Sequence, residues 1–137
     1  MNVDWLREVC LSLPGATEQI QWVNMLLFKI SGKMFAMTAL EPAPVWLFFK
    51  ASPETFAELT ERPNIIPAPY LARAQWVALE TRDALSRDEL TRLLRDSYDM
   101  IFAKLPKRTR DELLSAKPRT AKPRRKKPMK KKRQRSR

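Results

Sequence analysis

The apolar positions of this chain change period several times, and each change predicts an element. Trp5, Leu6, Val9, Cys10 and Leu13 recur at helical spacing. Residues 3–13 therefore read as a helix with one apolar face, stopped by Pro14-Gly15. Strand-like runs follow: a weak one at Thr17–Val23, a stronger one at Met25–Ile30, then Met34–Leu40 and Val45–Lys50. Ser31-Gly32-Lys33 predicts a tight hairpin turn, with Gly32 free to take positive φ, and Glu41-Pro42-Ala43-Pro44 predicts another turn. Turns this short leave no room for a crossover helix, so neighbouring strands are antiparallel.

Ser52-Pro53-Glu54 is a helix start, with a cap, a first-turn proline and an acid against the dipole. Phe56 and Leu59 supply its inner face. Arg62–Tyr70 is broken by Pro63, Pro67 and Pro69 and reads as irregular, and Trp76–Thr81 reads as one more strand. Ser86 and Glu89 form a capping box, with Leu85 able to staple onto Leu90. Behind them Leu90, Leu93, Leu94, Ser97, Tyr98, Ile101, Phe102 and Leu105 make one long helical stripe. The outer face pairs Asp88 with Arg92, Arg92 with Asp96 and Arg95 with Asp99. Pro106 ends that helix, and a shorter one follows from about Lys107 to Ser115. This order predicts an α+β fold: an antiparallel sheet of about five strands, packed by helices on one side. Met25, Leu27 and Lys29 alternate with Leu26, Phe28 and Ile30, so both sheet faces are largely apolar. Two readings stay open: scattered surface apolars, or a second apolar surface that meets a partner or another copy.

Charge divides the chain in two. The 137 residues carry a formal net charge of +12. Residues 1–116 hold 14 Lys/Arg against 15 Asp/Glu, whereas residues 117–137 hold 13 Lys/Arg and no acid. The first stretch reads as a near-neutral domain. The second reads as a tail in which Lys-Pro recurs at Lys117, Lys122 and Lys127. With no aromatic residue and only Met129 as a large apolar one, the tail is expected to be disordered when free and kept extended by proline. Lys117, Arg119, Lys122, Arg124, Arg125, Lys126, Lys127, Lys130, Lys131, Lys132 and Arg133 suit phosphate backbones as point charges, without reading bases. The bland alternative is a solvated tail.

Several chemistries are excluded. The chain has no histidine and two glycines, which removes serine and cysteine triads, His-containing zinc sites and glycine-rich phosphate loops. Cys10 falls on the first apolar stripe and reads as a core residue. One cysteine forms no internal disulfide, which suggests a reducing, cytoplasmic setting. No apolar run reaches the roughly 20 residues of a membrane helix, and Met1–Trp5 does not read as a signal peptide. The expectation is a protein with no enzymatic activity, cofactor, metal or membrane contact.

Several segments together resemble the MmcQ/YjbR family of small, mainly bacterial proteins. They are Leu13-Pro14-Gly15-Ala16-Thr17-Glu18, Leu27 through Ala36, Lys50-Ala51-Ser52-Pro53, Pro69 through Val77, and Ser97-Tyr98-Asp99-Met100-Ile101. Order and spacing fit over about residues 3–105. The resemblance implies a two-layer sandwich similar to secretion chaperones and frataxin, and a double-wing DNA-binding role. The hairpin ending at Lys33 and the turn near Arg73 would be the wings, with Lys29, Lys33, Lys50 and Arg73 as matching basic positions. Val23 and Gln75 depart from the pattern, and neutral Gln75 removes one possible positive contact. The implied function is DNA binding of low sequence specificity, with RNA not separated from DNA. The alternative is a peptide-binding or homodimeric module. A third reading places a small-ligand site at the Pro63–Trp76 loop.

Overall fold

The computed structural model describes residues 2–22 and 24–115. Asn2 caps the first helix, α1 (Val3–Leu11), by accepting the Trp5 N–H at 2.9 Å. The chain then forms β1 (Ala16–Gln21), β2 (Met25–Ile30), β3 (Lys33–Ala39) and β4 (Leu47–Lys50). Ser52 caps α2 (Pro53–Leu59), accepting from Thr55 N as the sequence predicts. Next come β5 (Ile65–Pro67), a single 3₁₀ turn (Ala72–Ala74) and β6 (Trp76–Leu79). Ser86 caps α3 (Arg87–Ala103), and α4 (Lys107–Ser115) follows.

All six strands form one antiparallel sheet in the order β1-β2-β3-β4-β6-β5. The sixth strand, β5, lies in the stretch expected to be irregular. It is three residues long and sits at the sheet edge, where Pro67 is tolerated because no further strand needs its missing N–H. The strand expected over Val45–Lys50 begins two residues later, at Leu47. The capping box is also redirected. Ser86 takes the Glu89 N–H, but the Glu89 carboxylate pairs with Arg62 at 2.9 Å and ties α3 to the end of α2. The three charge pairs expected along α3 do not close. Ion pairs that do form include Arg7–Glu18, Arg62–Glu58, Arg62–Glu89 and Lys107–Asp111.

The main core lies between the sheet and α1, α2 and α3. Phe28, Ile30, Leu47, Phe49, Val77 and Leu79 face Leu6, Cys10, Leu59, Leu90 and Leu94. The opposite sheet face holds a smaller cluster, with Ala68, Trp76 and Ala78 buried and Met34, Phe48, Ile66 and Leu71 packed on it. Part of the second apolar face is therefore covered by the chain's own loop after β5.

α4 packs through Leu113, which lies against Gly15. Gly15 has φ +75, and a Cβ there would run into the Leu113 side chain, so this turn needs glycine on both counts. Tyr98 fastens the same corner. Its hydroxyl donates to the Pro14 carbonyl at 2.5 Å, and its ring meets Phe35 edge-on and stacks on Phe102. Burial, helped by Asp99 and opposed by Arg95, pushes the Tyr98 phenol up to about 12. A raised phenol pKa means stability is fully present below the ordinary value of 10.0 and is lost as pH rises through about 12. We expect Tyr98→Phe to cost about 1 kcal/mol at neutral pH through the lost hydrogen bond. The variant is also expected to lack part of the parent's loss near pH 12, which urea unfolding at the two pH values checks.

Candidate nucleic-acid interface

The four basic positions of the domain are scattered in sequence, and the sheet gathers them at one end. β2 turns into β3 through Ser31-Gly32, both with positive φ, which is the backbone of a tight two-residue hairpin. Lys33 sits exposed just past that turn, and Lys29 pairs across the sheet with Met34. Lys50 ends β4 and pairs with Trp76, the first residue of β6. Arg73 lies exposed in the 3₁₀ turn just before Trp76. Since β2 and β6 are three strand spacings apart, the row crosses about 14 Å.

Each side chain is held differently. Lys29 donates to Gln19 Oε1 at 2.7 Å, so a neutral partner orients it and leaves its charge unneutralised. Lys50 donates to the Ala74 carbonyl at 2.5 Å and thereby ties the loop carrying Arg73 to β4. Burial, and then the nearby Lys104, lower the Lys50 pKa. That coupling exposes a cation the sequence reading missed. Lys104 caps the C-terminus of α3, a helix of 17 residues and so about 25 Å long, which returns from the far end of β6. Its place at this end follows from topology, not from any motif.

Tyr70 is the second residue missed. It sits in the loop between β5 and the 3₁₀ turn, three residues from Arg73, fully exposed and at φ 66. A full aromatic ring in water beside a cation is an available stacking surface. The loop is thus the projecting element of this end, whereas the Ser31-Gly32 hairpin is too tight to project far. The helix side of the same end is less suited to anions. There Lys50, Ser52 and Thr55 line a shallow depression together with the carboxylates of Asp96 and Asp99.

Other chemistry is sparse. Cys10 is fully buried and burial pushes its thiol pKa up, as fits a core residue. Among the described residues, no group of three His, Cys, Asp or Glu side chains is placed to hold a metal ion. No helix among them is long and apolar enough to cross a membrane. The tail positions Lys117 to Arg133, and their expected disorder, lie outside the described residues.

A small α+β sandwich with a one-sided helical layer and a cationic sheet end is the class that the fold defines. The YjbR family model matches residues 11–100, and the chain belongs to that family. It is similar to the crystal structure of a Deinococcus radiodurans protein described as a DUF419 domain. That match has 32% identity and a TM-score of 0.74, covering 82% of this chain and 87% of that one. A Pseudomonas syringae protein shares the fold at 20% identity and a TM-score of 0.62, covering 73% of this chain and 98% of that one. No curated protein matches the chain.

Proposed function

We propose that this protein is a non-enzymatic DNA-binding protein of low sequence specificity. In this reading residues 1–116 form the positioning domain and residues 117–137 supply most of the affinity. The observation that carries it is the placement of charge. Lys29, Lys33, Lys50, Arg73 and Lys104 converge on one sheet end, and the chain leaves the domain near that end. Ser115, the last residue of α4, is two positions beyond Leu113, which packs on Gly15 beside the start of β1. Thirteen further cations follow. Domain and tail can therefore engage one phosphate backbone without the tail having to wrap around the fold.

Lysine and arginine on flexible stems fix register and affinity but read no bases, so low specificity follows from the chemistry. Tyr70 offers stacking to an unpaired base, which extends the same site to single strands, RNA included. The reading is tested by a binding titration of the full chain against duplex DNA over a range of salt. With about half of the tail cations on phosphates, log affinity is expected to fall with log salt at a slope near −5 to −6. A slope no steeper than about −2 overturns it.

A second reading, self-association, is favoured by a separate observation. β1 is an edge strand of the sheet formed by the described residues, and Ile20 and Trp22 at this edge are 60% and 63% exposed.

A further inference from the structure

The connection between β5 and β6 holds one residue outward. The Leu71 N–H donates to the Ala68 carbonyl at 3.1 Å, which closes a turn over Ala68-Pro69-Tyr70-Leu71. Proline fixes φ negative at the second place, and Tyr70 follows at φ 66, so this is a type II turn. Glycine or asparagine fills its third place at least cost, because a Cβ in the left-handed region crowds the backbone. Here that place carries a tyrosine whose ring is completely exposed and adds no burial to the fold. A strained residue that stabilises nothing by burial points to a use outside the fold.

Both flanks of this turn are fastened. Ala68 is buried, its N–H donates to the Trp76 carbonyl at 3.0 Å, and the Trp76 N–H donates back to the Leu71 carbonyl at 3.2 Å. Leu71 packs on the cluster of Ala68, Trp76 and Ala78. Further on, the 3₁₀ turn is tied to β4 and the residue after it. The Lys50 ammonium donates to the Ala74 carbonyl, and the Ala51 N–H donates to the Gln75 carbonyl at 2.9 Å. The ring is therefore presented on a held backbone, which lowers the ordering cost of binding.

Strand order sets where this ring lies. β5 is the strand beyond β6, so the Tyr70 turn stands at the outer end of the row that runs from Lys29 and Lys33 through Lys50 to Arg73. A phosphate backbone laid along that row keeps its paired bases stacked inside the duplex, away from a ring at its end. A base outside the stack can meet the ring, and a base with no partner leaves the stack at the least cost. Among the described residues Ile20, Trp22 and Leu40 are also large, apolar and exposed, but they lie at the opposite end of the sheet. Tyr70 instead has exposed Arg73 three residues away, a cation for the phosphate of the same nucleotide. We infer that Tyr70 is a specificity-determining residue that stacks on one unpaired base, so that the domain favours duplex DNA with an extruded base over fully paired DNA. The proposal rests on the DNA-binding reading and narrows its substrate class.

The test compares two short duplexes of the same sequence with the same single-nucleotide bulge, one carrying adenine there and the other an abasic sugar. Phosphate number and backbone are matched, so the ratio of the two affinities isolates the base. The full chain is expected to bind the adenine bulge about tenfold tighter, as one base stacked on an aromatic side chain does. Both affinities are expected to fall with salt while their ratio stays constant, since stacking releases no counterions. Asparagine suits the left-handed position, so Tyr70→Asn is expected to keep its thermal stability. In that variant the ratio is expected to drop to about one, with affinity for the abasic probe unchanged. Tyr70→Phe keeps the ring and is expected to keep the ratio. A steep salt slope with a parent ratio of about one overturns this proposal alone and leaves the ring for a protein partner. A ratio that survives Tyr70→Asn overturns it too, as does a Tyr70→Asn variant that loses affinity for both probes alike. A salt slope no steeper than about −2 on both probes overturns the DNA-binding reading itself and this proposal with it.

Discussion

Removing residues 117–137 is expected to weaken DNA binding by orders of magnitude at low salt while leaving the fold intact. The binding side follows from counterion release. Every phosphate that the tail no longer neutralises condenses its counterions again, so affinity and salt slope fall together. The domain left behind carries 14 basic against 15 acidic residues. Its remaining attraction comes from the local group at the sheet end, opposed by acids elsewhere. The stability side follows from packing. The core is filled by residues from Leu6 to Leu105, with Leu113 of α4 as the last apolar side chain against it. Truncation after Ala116 removes no part of that cluster, so unfolding free energy is expected to stay within about 0.5 kcal/mol. Replacing Lys29, Lys33, Lys50 and Arg73 together in the full chain is expected to do less to affinity. It is expected instead to blur how the domain sits on the duplex. Side-by-side titrations of the full chain, residues 1–116 and the fourfold variant decide the matter. If residues 1–116 bind as tightly as the full chain at equal salt, the tail is incidental and the sheet end alone carries the function.

The parts of this fold that were legible in the sequence are those fixed by local chemistry. Ser52 and Ser86 announce their helices because a cap bonds only two or three residues ahead. The Ser31-Gly32 turn is legible for the same reason. The features that were not legible depend on distant neighbours. Ile65–Pro67 becomes a strand because β6 lies alongside it, and proline content argues the other way until the edge position is known. Glu89 looks like half of a capping box, but it serves Arg62, 27 residues away. In the candidate site, Lys29, Lys33, Lys50 and Arg73 could be named from the family pattern, but their convergence is a product of strand order. Lys104 and Tyr70 join them through helix length and a strained loop residue, and neither carries a sequence signal of its own.

Ser97 shows how much a single polar residue on an apolar stripe can matter. In sequence it is one position among leucines on the inner face of α3, and in the fold it is completely buried. The β3–β4 pairing runs from Thr38–Leu47 to Ala36–Phe49. The next pair in that register is Phe35 with Lys50, but the pairing of β2 with β3 slips here and Phe35 is the extra residue. The Ser97 hydroxyl stands in the gap: it donates to the Phe35 carbonyl at 2.6 Å and accepts the Lys50 N–H at 3.0 Å. One side chain thus replaces a missing ladder bond and holds the end of β4 that presents Lys50. In Ser97→Ala both backbone groups lose their partner, at about 1–3 kcal/mol for each buried group left unpaired. The better helix propensity of alanine returns about 0.5 kcal/mol. The expected net loss is about 1.5–5.5 kcal/mol, read from urea unfolding, with faster amide exchange at Lys50 as the local signature. Ser12→Ala is the control: that hydroxyl donates to the Val9 carbonyl at an exposed helix end, and its removal is expected to cost under about 0.5 kcal/mol. If the two variants cost the same, the Ser97 hydroxyl is not bridging the split, and the gap between β3 and β4 is closed by other means.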